Sequence, residues 1–132
     1  MLDNDTKNNL IAEARRARDA AYARYSNFKV GAAVLTEQGN IFSGCNIENA
    51  SFGATMCAER VAIFSAVAAG ETRIKAVAVI ADLDKPIAPC GLCRQVIAEF
   101  GPDAEVIMLN TGGEEATVTL PVLLPLSFQF PD

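Results

Sequence analysis

The strongest constraint on the fold is a split cluster of thiols: Cys57-Ala58-Glu59-Arg60, then Pro89-Cys90-Gly91-Leu92-Cys93-Arg94-Gln95. Two residues separate Cys90 from Cys93, the gap that lets both sulfurs reach one ion, and Cys57 offers a third sulfur from another part of the chain. A fold that uses all three must bring two distant backbone stretches to one point. The chain has no histidine, so neither an imidazole ligand nor an imidazole base is available. Three thiolates with an open fourth position describe a catalytic zinc, because structural sites are closed by four protein ligands. Glu59, two residues beyond Cys57, is then the well-placed proton carrier.

Hydrophobic periodicity places these motifs on elements. Leu10, Ala14, Ala17 and Ala21 recur at helical spacing within residues 6–22. Residues 29–36 and 41–45 read as strands joined by the turn-rich Glu37-Gln38-Gly39-Asn40. Residues 46–56 read as a loop, and 57–69 as an Ala-rich helix stopped by Gly70. The nearly continuous apolar run at 74–81 predicts a strand covered on both faces. A loop at 82–89 leads to a helix at 91–100 closed by Gly101, a buried strand at 105–110 and a last strand at 116–120. The order is α-β-β-α-β-α-β-β with a Pro-punctuated tail. It predicts an α/β fold with helices on both faces of a sheet.

This layout puts Cys57 in the first turn of one helix and Cys90 and Cys93 in the first turn of another. Three thiolates on a dication leave one net negative charge. Helix N-termini carry roughly half a positive charge each and lower thiol pKa values, so two of them aimed at the cluster offset that charge. Arg60 and Arg94 adjoin the motif residues, and either is placed to bond a sulfur; Arg60 is the favoured compensating cation. Cys45 is expected to be a small buried residue of its strand. Were it instead a fourth ligand, the protein would be a non-catalytic, zinc-stabilised interaction module.

Composition narrows the partners. At 132 residues, 51% hydrophobic and 20% charged, the chain suits one ordered domain spanning 1–132. A net charge of −5 argues against nucleic acid, and Arg15, Arg16 and Arg18 read as a solvated helix face. No apolar stretch approaches the roughly 20 residues of a spanning helix, and the polar start lacks a signal-peptide pattern, so no membrane partner and a cytoplasmic location are expected.

The chain resembles the cytidine deaminases of the small homotetrameric class. The resemblance rests on the two thiol motifs, on Tyr25-Ser26-Asn27-Phe28-Lys29-Val30-Gly31-Ala32-Ala33, on Gly44-Cys45-Asn46-Ile47-Glu48-Asn49-Ala50 and on Leu123-Leu124-Pro125-Leu126-Ser127-Phe128. It implies a three-layer α/β/α sandwich with a mixed, roughly five-stranded central sheet. It implies one Zn²⁺ per subunit held by Cys57, Cys90 and Cys93, with Glu59 as the catalytic acid and base. By the same resemblance Asn46 and Glu48 would hold ribose hydroxyls, and Phe28 would stack on the pyrimidine. The backbone N–H of Ala58 would donate to the base carbonyl, and Phe128 would reach a neighbouring subunit's pocket. The implied reaction is hydrolysis of cytidine and 2′-deoxycytidine to the uracil nucleosides and ammonia, a pyrimidine-salvage step on a small-molecule nucleoside. Departures at Arg24, Leu92 and residues 51–56 leave open a related substrate such as a cytosine-containing antibiotic.

Overall fold

The computed structural model describes residues 1–131. Its strands are β1 Val30–Thr36, β2 Ile41–Cys45, β3 Ile74–Ala81, β4 Glu105–Asn110 and β5 Glu115–Thr119. Its α-helices are α1 Asn4–Arg18, α2 Ala58–Ala68, α3 Gly91–Phe100 and a short α4 Leu120–Leu123. The strands form one mixed sheet in the order β2-β1-β3-β4-β5, with β3 and β4 parallel and the other neighbours antiparallel.

The expected layering is present, and the pleat shows why. Successive strand side chains point to opposite faces. Val30, Ala32, Val34, Val77, Val79 and Val106 pack on one side with Ala58, Ala62 and Ile63 of α2 and Ile97 of α3. The alternating residues Ala33, Leu35, Ala76, Ala78, Ile80 and Ile107 pack on the other side against Leu10 and Ala14 of α1. The apolar run of β3 is therefore buried throughout except at Lys75.

Two glycines set how closely the helices approach. A Cβ on Gly31 would lie 2.1 Å from the Ala14 carbonyl of α1, and one on Gly44 would lie 2.5 Å from the Ala62 nitrogen and 2.8 Å from the Ala58 carbonyl of α2. No side chain fits at either point. The first turn of α2 is thus seated directly on β2.

Topology then decides where the site forms. Strand β1 is antiparallel to both β2 and β3, so those two run the same way. Cys45 at the end of β2 and Ile80 near the end of β3 both register with Gly31, on opposite sides of it. Helices α2 and α3 follow these two strands in sequence and start at the same end of the sheet. Open α/β sheets bind ligands beyond the carboxyl ends of such strands.

Some boundaries differ from the sequence expectation. Asp3 caps α1 by accepting the Thr6 N–H at 2.8 Å, so the helix starts at Asn4. It ends at Arg18 and not at 22, because Tyr22 is drawn into a bridge with Ile47 and donates its N–H to the Asn46 carbonyl. The last strand stops at Thr119: Leu120, expected to end it, begins α4, where a proline in the first turn suits a helix start. The segment 46–56 contains a 3₁₀ turn, Phe52–Ala54, and an antiparallel bridge between Ile47 and Met56.

Candidate active site

Cys57 is the N-cap residue of α2 and Cys90 that of α3, each with extended backbone and neither capping a backbone N–H of its helix through its side chain. Both stand one position before the first turn in which the sequence had placed them. The sulfurs are consequently free to point forward, off the helix ends. Sγ atoms of Cys57, Cys90 and Cys93 all lie within 4.8 Å of one another, and Cys57 is 3.7 Å from Cys90. Two thiolates at ~2.3 Å from a tetrahedral zinc sit about 3.8 Å apart, so the cluster fits that ion. Among the described residues no fourth cysteine or carboxylate joins the group. Cys45 stands outside it, half-buried where burial was expected, and that partial burial pushes its thiol pKa up.

Glu59 lies in the first turn of α2 and is only 4% exposed. Burial pushes its carboxyl from the ordinary 4.5 up to about 7; its own backbone amide opposes the rise and the charge of Cys57 adds to it. Cys57 is favoured as a thiolate over Cys93. The neighbouring Cys93 thiol draws its pKa down to about 5 against the cost of burial, with help from Arg60. The Cys93 thiol is raised in turn by Cys57 and by its own burial.

The two arginines part company. Arg60 Nη2 donates to Cys57 Sγ at 3.3 Å, while its buried Nε has no partner among the described residues. Arg60 is the one the sequence favoured; Arg94, the other arginine placed to bond a sulfur, bonds none. Its Nε donates to the Pro89 carbonyl and its Nη1 to the Leu123 carbonyl, both at 2.8 Å. Two backbone acceptors facing α3 hold that guanidinium, which fixes the loop before Cys90 to α4.

Beside the thiols, the polar side chains expected at a sugar are already engaged. Asn46 is buried, accepts the Val30 N–H at 2.9 Å and donates to the Phe28 carbonyl at 2.7 Å. Glu48 accepts the N–H groups of Tyr25 (2.8 Å) and Ser26 (3.0 Å) on one oxygen and the Ser26 hydroxyl on the other. The hydroxyl bond chiefly, with the amides, holds its carboxyl below the usual range. An amide offers two N–H donors and a carboxylate about four acceptor positions. Asn46 therefore keeps one donor free of these bonds and Glu48 one acceptor. Phe28 is half-buried against the core. Ala58 is the first residue of α2, so its N–H has no acceptor within the helix. Phe128 is 68% exposed, lies edge-on to Phe130 with centroids 5.6 Å apart, and accepts from Gln95 Nε2 through its carbonyl at 2.9 Å.

The sequence profile of the family described as "Cytidine and deoxycytidylate deaminase zinc-binding region" matches residues 4–109. The chain belongs to this deaminase family. A cytidine deaminase from Sporosarcina psychrophila is 50% identical over 124 residues, covering 93% of this chain and 91% of the relative. One from Halalkalibacterium halodurans is 48% identical over 124 residues, covering 93% and 94%. The crystal structure of the cytidine deaminase from Burkholderia pseudomallei superposes with a TM-score of 0.89 at 51% identity, covering 92% of this chain and 98% of that one.

Within this zinc-binding deaminase, sequence reasoning overlooked Ser26, Tyr25 and Gln95. Ser26 carried a usable signal: a serine two residues before Phe28 is placed for a hydroxyl-to-amide turn. Tyr25 and Ser26, with Glu48, Asn49, Phe52 and Thr55, line a cavity of about 340 Å³. The partner of Gln95 belongs to the tail, and no local pattern announces it.

Proposed function

We propose that the protein hydrolyses cytidine and 2′-deoxycytidine to uridine and 2′-deoxyuridine with release of ammonia. One observation carries the reading: Glu59, a buried carboxyl, stands two residues from Cys57 of a three-thiol cluster. Cys57, Cys90 and Cys93 would hold the zinc, which would supply Lewis acidity to activate a water. Glu59 accepts the proton of that water and delivers it to N3 of the ring as oxygen adds at C4. The same carboxyl then takes the second proton, from the hydroxyl now on C4, and passes it to the departing amine as the C4–N bond breaks and the carbonyl forms. A pKa close to working pH suits a group that must do both. Arg60 keeps Cys57 in its thiolate form through their hydrogen bond.

On this reading Phe28 stacks on the pyrimidine and the Ala58 N–H donates to its carbonyl oxygen. Asn46 and Glu48 take the sugar. Their free donor and free acceptor match the two roles of one hydroxyl, so a group common to ribose and deoxyribose suffices and both nucleosides are accepted. The reading places the protein in cytoplasmic pyrimidine salvage as a homotetramer of one-domain chains (1–132), with Phe128 entering a neighbour's pocket. Supporting the assembly is exposed apolar surface: Phe52 is 77% exposed, Phe130 85% and Leu126 102%.

The test is loss of the cytidine absorbance band on mixing with purified protein, repeated after chelation and after zinc is restored. Zinc-dependent loss is expected. A zinc-loaded protein that leaves cytidine intact overturns the reading. The interaction-module alternative needs Cys45 as a ligand and is disfavoured by its position outside the cluster; retained zinc in Cys45→Ala is the expected result.

A further inference from the structure

We propose that Ser26 is a positioning residue whose hydroxyl locks the Glu48 carboxylate and the Phe28 backbone into one unit. The inference rests on the cytidine deaminase reading, in which Glu48 contacts the sugar and Phe28 the base. A serine hydroxyl has one proton to donate and lone pairs to accept with. Here the proton goes to Glu48 Oε2, and the oxygen accepts the Phe28 N–H at 3.0 Å. One atom thus joins two pocket residues that come from different loops.

The surroundings make this junction decisive for aim. Glu48 Oε1 is occupied by the N–H groups of Tyr25 and Ser26, so its other oxygen is the one with an acceptor position to offer. The Ser26 hydroxyl fixes the direction of that position. Between Ser26 and Phe28 lies Asn27, in the left-handed region at φ 58°. Asparagine tolerates that conformation better than most residues, yet it needs support. The hydroxyl-to-amide bond spans this residue and provides it. On the far side of the ring's own residue, Asn46 holds the Phe28 carbonyl. Phe28 is therefore clamped at both ends of its backbone by side chains of the pocket. Neither bond of the hydroxyl goes to a thiol of the cluster or to Glu59.

Binding should consequently suffer before chemistry does. In steady-state kinetics of the zinc-loaded protein on cytidine, Ser26→Ala is expected to raise KM about 3- to 10-fold, the size of one ordinary net hydrogen bond. Its kcat should stay within about twofold, the pattern of lost substrate binding with the reactive centre intact. Ser26→Thr retains the hydroxyl and should hold both constants within about twofold of wild type. Ser26 is exposed, so removing its hydroxyl leaves the core alone. An unchanged KM in Ser26→Ala overturns the proposal, and so does a lowered melting temperature with unchanged KM, which would mark a turn residue only. Equal damage from Ser26→Thr overturns it too. If wild-type protein fails to deaminate cytidine, the functional reading falls and takes this inference with it; if wild type turns over and Ser26→Ala keeps its KM, the inference alone falls.

Discussion

Helix α2 carries a glutamate at each end, and the two are treated in opposite ways. Glu71, just past the C-terminus, is fully engaged. Its N–H bonds the Ala66 carbonyl at 3.0 Å, and that of Gly70, at φ 90°, bonds the Val67 carbonyl at 2.9 Å, which closes the helix in a Schellman arrangement. Its carboxylate accepts the Thr36 hydroxyl at 2.6 Å and the Asn40 amide at 3.0 Å, tying the β1–β2 turn to the helix. Glu59, in the first turn, is buried instead and held near pKa 7 by that burial. The N-cap side chain beside it accepts no backbone N–H of the helix. One end is sealed for stability and the other left short of partners, which is where an enzyme keeps groups that must change protonation. A single helix separates the two tasks.

Four experiments would break or sharpen this contrast. The largest effect belongs to Glu59→Gln, which should retain fold and zinc while losing more than ~10⁴-fold in kcat, because one carboxyl moves several protons. Near-wild-type turnover there would remove Glu59 from the chemistry. Next, Arg60→Ala should lower zinc affinity or activity by about 10- to 100-fold, read by competition with a chelator. Unchanged affinity would mean that the guanidinium does not tune Cys57.

The third concerns pH in zinc-stripped protein. Glu59 ionises near 4.5 when unfolded and about 7 when folded, so its stabilising contribution is complete below pH ~4.5 and is lost as pH rises through about 7. The loss is on the order of 3 kcal/mol at ~1.4 kcal/mol per pKa unit. Urea titrations across that window should show stability falling more with pH in wild type than in Glu59→Gln, where the lowered pKa of Cys57 acts in the opposite direction. The smallest effect is at the sealed end. Glu71→Ala leaves the O–H of Thr36, a residue 1% exposed, without its acceptor and should cost about 1–3 kcal/mol in urea unfolding with kcat unaltered. A loss of turnover without a loss of stability would dissolve the separation.

Much of the metal half was legible in the sequence, because ligand spacing within a turn is a local property: Cys90, Cys93, Cys57 and Glu59 announced themselves. The pleat and the helical period likewise gave the layers. What escaped depends on partners remote in sequence. Adjacency to a ligand could not distinguish Arg60, which meets a sulfur, from Arg94, which is claimed by the Leu123 carbonyl. The residue types at Asn46 and Glu48 were readable, but not that Val30, Tyr25 and Ser26 already occupy most of their hydrogen-bonding capacity. The end of α1 escaped for the same reason, since a bridge to Ile47 outcompetes the local helical pattern at Tyr22.

The missing side chain at Gly44 has a reach beyond its own strand. A methyl group there would press on the backbone of Ala58 and Ala62, within the opening turns of α2 that bear Cys57 and Glu59. The placement of Glu59 and Cys57 over the sheet is accordingly gauged by the absence of a side chain at Gly44, and misplacement by even 1 Å can cost an enzyme about 100-fold. Alignment of the reactive groups is inherited from a residue that never meets the substrate.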